Sequence, residues 1–196
     1  MNLSAQDLES LAEIVNIGVG RAASSLSILL GSAIELQVPS VRVICASDVA
    51  LESVGGISVK QQFDGDVAGR ALLQFPVATG RQLACLLTGY DESDDIPEFE
   101  ISGVLSEVGN IVLNGVLGSL ANITATQLDY TVPEFFVGQS VSDLIVASAP
   151  DASTTCVLIA DTDFCVLSEG IHGSIMIAFE IGALESLVEY LQDLVA

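Results

Sequence analysis

Two short stretches, Glu13-Ile-Val-Asn16 and Glu107-Val-Gly-Asn110, decide the reading of this 196-residue chain. Both are Glu-x-x-Asn, and they stand 94 residues apart. Pro39 and Pro133 share that offset, so each Asn is followed, after twenty-two intervening residues, by a proline. Leu11/Leu105, Ile17/Ile111 and Leu26/Leu120 fall on the same alignment. Further on, Gly69, Phe75, Leu83 and Leu87 match Gly173, Phe179, Leu187 and Leu191 at an offset of 104, which implies a net insertion of ten residues around 139–152. A repeat has to be read before any fold is assigned. This one predicts a single domain over 1–196 made of two internal repeats, about 1–90 and 98–196. They meet at the acidic surface linker Asp91-Glu-Ser-Asp-Asp95.

Working outward from the first pair, Leu8, Leu11, Val15, Val19, Ala22, Leu26 and Leu29 have helical spacing over 4–31. Ser4 with Asp7 three residues later has the form of an N-terminal cap, and Gly31-Ser32 closes the helix. Strands are expected at 34–38 and 41–46, separated at Pro39-Ser40, then a Gly55-Gly56 turn, strands near 57–63 and 69–75, and a helix near 78–88. The second half reads as a helix at 98–122, strands near 125–131, 153–160 and 171–179, and a helix at 181–195. Residues 139–148 fit either a short helix or an edge segment. Strands in series between helices predict an α+β fold: a pseudo-two-fold α/β sandwich, mainly antiparallel, with the two long motif-bearing helices on one face of the sheet.

Residues three apart on a helix project together, so Glu13 and Asn16 share a face, extended by Glu9 and Gly20. Glu107, Asn110 and Asn114 repeat the arrangement. Asn is a poor helix-interior residue because its amide competes for backbone hydrogen bonds. Finding it mid-helix at matching places in both halves marks these positions as the candidate site. Gly18, Gly20, Gly109, Gly115 and Gly118 each cost about 1 kcal/mol relative to Ala in a helix, which close packing of another backbone or a docked partner would offset.

The formal net charge of −21, from 26 acidic and 5 basic residues, argues against nucleic-acid binding and against anionic membranes. A protein partner with a basic patch would instead be steered in. Lys60 is the only lysine and His172 the only histidine. His172 reads as structural on its strand, and Arg21 either meets a partner or offsets nearby acids. Cys45, Cys85, Cys156 and Cys165 contain no Cys-x-x-Cys pair, so a structural zinc is not expected. The first three lie in apolar runs and read as buried reduced thiols. No secretion signal and no apolar run approaching a membrane span are evident, so a cytoplasmic location without membrane insertion is expected.

The doubled Glu-x-x-Asn with its spaced proline, together with Asn16-Ile-Gly-Val-Gly-Arg-Ala-Ala23 and Glu107-Val-Gly-Asn-Ile111, resembles the CheC-type chemotaxis phosphatases, the group that includes CheX and FliY. Two sites in one chain are more similar to CheC than to CheX, which has one. The chain departs from the family pattern at Glu9 and Gly103, where Asp or Ser is usual four residues before the Glu. The resemblance implies hydrolysis of the phospho-aspartate of a CheY-type response regulator. Asn16 and Asn110 would orient the attacking water, and Glu13 and Glu107 would pair with a lysine of the partner. It implies no cofactor of the chain's own, since the magnesium belongs to the regulator. The rival implied by the same resemblance is a non-catalytic adaptor that binds the deamidase CheD or a component of the flagellar switch. No Ser/His/Asp set, Walker loop or metal cluster suggests small-molecule hydrolysis.

Overall fold

The first helix starts where its sequence says it should. In the computed structural model, which describes residues 4–31, 33–51, 55–91, 95–145, 155–166, 169–180, 184, 185, 188 and 189, Ser4 Oγ accepts from the Asp7 N–H while the Asp7 carboxylate accepts from the Ser4 N–H. This reciprocal cap satisfies donors that a helix N-terminus leaves open. α1 runs Ala5–Leu30 and stops at Gly31, whose φ of 62° is the left-handed conformation that glycine adopts without a Cβ penalty. α3, Glu98–Thr124, starts at Pro97 with no side-chain cap. Between them lie β1 (Ile34–Cys45), a 3-10 turn (Ala46–Leu51), β2 (Ile57–Gly65), β3 (Gly69–Phe75) and α2 (Val77–Thr88). After α3 come β4 (Leu128–Tyr130), β5 (Glu134–Val137), α4 (Val141–Ile145), β6 (Thr155–Val166) and β7 (Glu169–Glu180). Of the helix expected at 181–195, only Leu184, Glu185, Val188 and Glu189 are among the described residues; they are helical, with Leu184 and Val188 buried.

The strands form one sheet in the order β1-β6-β7-β3-β2-β4, with β5 also pairing β2, and every pairing is antiparallel. Its central strands are buried on both faces. Along β7, Ile171, Ile175, Ile177 and Phe179 face a core shared with α1, α2 and α3, while Met176 and Ala178 face a smaller core under α4 and the 3-10 turn. This period-2 alternation, apolar on both sides, produces long apolar runs rather than polar/apolar stripes. The expected architecture holds: a mixed α/β fold with a curled antiparallel sheet, and both long helices on one face.

The structure corrects the sequence reading at Pro39. Residues 34–38 and 41–46 do not make two strands; β1 is continuous. The pairing of Gln37 with Asp163 and of Ser40 with Asp161 leaves one extra residue on β1, a bulge. Side-chain parity flips across it, with Ile34, Leu36 and Val38 in the core before the bulge and Val41 and Val43 against the core after it. Proline is tolerated there because β1 is an edge strand and Pro39 lies in the bulge, so its missing N–H costs no ladder bond.

The second half carries the same device more openly. The strand expected at 125–131 is only Leu128–Tyr130, and Glu134–Val137, not anticipated, continues it along β2. Phe63 pairs Tyr130 and Lys60 pairs Glu134, so here too one extra residue is accommodated, around Pro133. The undecided stretch 139–148 contains a short helix, Val141–Ile145.

α1 and α3 touch at glycines. A Cβ on Gly18 would lie 2.6 Å from the Val116 Cα and 2.7 Å from the Gly115 carbonyl oxygen. Gly109 is equally required, because a Cβ there would meet Val59. Gly20 and Gly118 have no such reason, with open space at both. α3 is long and apolar enough by composition to cross a membrane, which the sequence reading did not anticipate. Its Leu105, Val108, Val112, Leu113, Val116 and Leu117 are buried against α1, α2 and the sheet, so in this fold it is a core helix.

Candidate functional site

Glu13 and Asn16 lie on the outer side of α1, Glu13 exposed and Asn16 half-buried between helix and sheet. Leu11, Ile14, Val15 and Val19 turn inward and hold that orientation. The Asn16 side chain is not free. Its Oδ1 accepts a hydrogen bond of 3.2 Å from the Val38 N–H, which sits in the β1 bulge beside Pro39. A backbone N–H can only donate, so this contact fixes which end of the amide faces the sheet. The oxygen is tied, and this bond does not use the NH2 group. The twenty-two-residue spacing to proline thus has a local cause, since the bulge brings a backbone donor under the asparagine.

Glu107 and Asn110 occupy the corresponding places on α3, again exposed and half-buried. Here the donor differs. Asn110 Oδ1 accepts from the Nδ2 of Asn114, one turn further along the same helix, at 2.8 Å. The residue matching Val38 is Val132, which is 83% exposed against 7% for Val38. Among the described residues its N–H makes no bond to Asn110. Asn114 Oδ1 is itself buried, with no partner among the described residues. Gly20 holds the Asn114 position in the first copy, with nothing within 4 Å.

The helices that carry the pairs cross at Gly18 and Gly115, two residues after Asn16 and five after Asn110. Arg21, which the sequence leaves open between partner contact and charge balance, makes a contact within the fold. Its guanidinium donates to the buried Ser119 hydroxyl of α3 at 3.3 Å and ties the two helices together. Glu9 and Gly103, where the resemblance expects Asp or Ser, are both exposed on the site faces. Exposed Ile17 and half-buried Ile111 lie beside the asparagines. Neither pair lines the cavity of about 480 Å³ found between β2, β3, β4 and α4. Open helix faces of this kind admit a docking protein; a small substrate would need enclosure.

No protein-family model matches the chain. It is 31% identical to the CheY-P phosphatase CheC of Bacillus subtilis over 66% of this chain, a match spanning 65% of that protein's length. It is 28% identical to a CheC1 protein of Halobacterium salinarum, over 76% of this chain and 74% of that protein. Among solved structures, FliY of Thermotoga maritima superposes with a TM-score of 0.78 over 98% of this chain and 99% of that one, at 17% identity. The CheX of Borrelia burgdorferi, solved in complex with CheY, BeF3 and magnesium, does so with a TM-score of 0.52 over 83% and 96%, at 19% identity. The sequence likeness supports the CheC-type chemotaxis phosphatase family for this chain, and the fold agrees with it.

The histidine and the four cysteines lie on elements other than the motif-bearing α1 and α3. His172 is exposed on β7 and bonds Asp163 on β6 across the strand pair. Cys85 and Cys156 are buried as expected, and burial pushes the Cys156 thiol up to about 11. Cys45 is exposed, contrary to the reading of its apolar run, because it ends β1 at the edge of the sheet. Two contributors to the site escaped the sequence reading. The Val38 N–H is backbone and carries no residue signature; its only trace is the parity flip between Val38 and Val41. Helical spacing puts Asn114 on the same face, but spacing alone assigns it no part in the site.

Proposed function

We propose that the chain hydrolyses the phospho-aspartate of a CheY-type response regulator in chemotaxis signalling. The observation that carries this reading is the pair of half-buried asparagines, each held by its amide oxygen on an open helix face beside an exposed glutamate, in a CheC-type chain. With the oxygen tied, the NH2 of Asn16 or Asn110 donates to the oxygen of a water and fixes its position. That water attacks phosphorus in line with the bond to the regulator's aspartate. The P–O bond breaks, the aspartate leaves as a carboxylate, and inorganic phosphate departs. Phosphoryl transfer depends mainly on positioning and charge stabilisation, so a water-orienting amide is a sufficient contribution. Glu13 and Glu107 pair with a lysine of the regulator and set the register of docking. The magnesium is the partner's, and the reading requires no cofactor of this chain's own.

Two further elements belong to the same proposal. The chain is one domain of two repeats, about 1–90 and 98–196. The strand order supports this, because exchanging β1, β2 and β3 for β4, β6 and β7 reproduces the same order read from the other edge. It acts in the cytoplasm, where response regulators are phosphorylated.

The test follows phosphate release from a phosphorylated CheY-type regulator in the presence of the parent, Asn16→Ala, Asn110→Ala and the double variant. The double variant is expected to lose about 100-fold in turnover, of the order that misplacing a reacting group costs. A double variant as active as the parent overturns the mechanism. An unchanged regulator lifetime alongside tight binding of CheD or a flagellar-switch component would favour the adaptor reading.

A further inference from the structure

The two asparagines receive the same kind of hydrogen bond from unrelated donors, and this points to a residue that the motif does not contain. In the first copy the donor is backbone, the Val38 N–H in the β1 bulge. In the second copy the equivalent stretch around Val132 is turned out to solvent, and the Asn114 side chain supplies the bond instead. Asn114 is an expensive residue for a helix interior. Its other amide atom, Oδ1, is buried and has no partner among the described residues, which costs further stability. The first copy has glycine there, Gly20, in open space, so the fold does not need a side chain at that position. A residue that is costly on both counts and whose one described side-chain bond goes to the candidate site is explained by that bond.

We infer that Asn114 is a positioning residue of the second site, holding the Asn110 amide by its oxygen so that the NH2 is kept for the attacking water. The inference rests on the phosphatase reading for its consequence, but its structural half stands without it. A helix-borne donor also makes the second site independent of the strand beneath it, whereas the first site depends on the bulge at Pro39.

The experiment places Asn114→Ala in two backgrounds. In Asn16→Ala, where only the second copy can act, turnover of the phosphorylated regulator is expected to fall about five-fold with KM within two-fold, the size expected when one hydrogen bond is lost from a pre-oriented group. In Asn110→Ala, where the second copy is already disabled, Asn114→Ala is expected to change nothing. The melting temperature should equal or exceed the parent's, because Ala is the better helix former and removes the unpartnered oxygen. Independently of activity, the Asn110 side-chain amide signals in a ¹⁵N NMR spectrum of the full chain should report greater mobility in Asn114→Ala. Unchanged Asn110 mobility overturns the inference. So does an equal loss of activity in both backgrounds, which would mark a merely structural role, and so does an Asn16→Ala protein without activity beside an active parent. If the parent itself does not act on the regulator, the phosphatase reading falls, while the NMR result still decides what Asn114 holds.

Discussion

At Asn16 the candidate site is supported by the sheet, and at Asn110 it is supported by the helix. Both copies use an edge strand interrupted by one extra residue near a proline, and both place a half-buried Asn and an exposed Glu above it. In the first copy the strand stays close, Val38 is buried, and its N–H reaches the amide. In the second, β4 and β5 are separate short strands, Val132 is exposed, and Asn114 substitutes. Repetition of a motif therefore conserves the outcome, an amide tied by its oxygen, without conserving the donor. Positions that match at an offset of 94 are equivalent in presentation and different in support.

The contact that both copies share should be the most sensitive point. Gly18→Ala places a Cβ against backbone of α3 rather than against a flexible side chain, so the helices must separate. A loss of about 3 kcal/mol in stability is expected, read from denaturant melts, as for other overpacked sites. A Gly18→Ala protein as stable as the parent would contradict the close crossing that joins the copies.

The next contrast separates the copies through their prolines. Pro39→Ala, assayed in the Asn110→Ala background, relaxes the bulge that supplies the Val38 donor. A loss of roughly three- to five-fold in turnover is expected, within the range of one hydrogen bond. Pro133→Ala, assayed in the Asn16→Ala background, should change turnover by less than about two-fold, because Asn110 takes its bond from the helix. Equal losses from the two substitutions would mean that both asparagines lean on their strands.

A smaller effect distinguishes the two helices at their starts. Ser4→Ala removes the reciprocal cap of α1 and should cost about 1 kcal/mol. The start of α3 has no side-chain cap to lose, and Pro97→Ser should gain about half that amount by adding one. Thermal melts of the two variants check the opposite signs. Smallest is Gly20→Ala, expected to stabilise by up to about 1 kcal/mol, since nothing lies within 4 Å of the new methyl group. A loss there would show that the first copy needs its glycine after all.

Much of this was legible in the chain. Helical periodicity located α1, α2 and α3 to within a few residues, because amphipathic spacing and end signals such as Ser4, Asp7 and Gly31 act locally. The strands 57–63 and 69–75 were equally clear, whereas the continuity of β1 through Pro39 was not. Proline usually ends a strand, and only the neighbour β6, paired on both sides of the bulge, shows that it does not do so here. The exposed state of Cys45 and the tie between Arg21 and Ser119 were hidden for the same reason, since each depends on where an element sits in the sheet or against another helix.

The sequence by itself determined that there are two copies of one pattern and that each puts an acid and an amide on a shared helical face. These follow from spacing along the chain, which helix geometry converts directly into direction. Only the tertiary structure decided how each amide is held, because the donors come from a strand bulge in one case and from the next helical turn in the other. Hydrogen bonds are set by distances of a few ångströms between groups that lie twenty-two residues apart in one copy and four in the other, and no pattern of spacing alone records which of them closes.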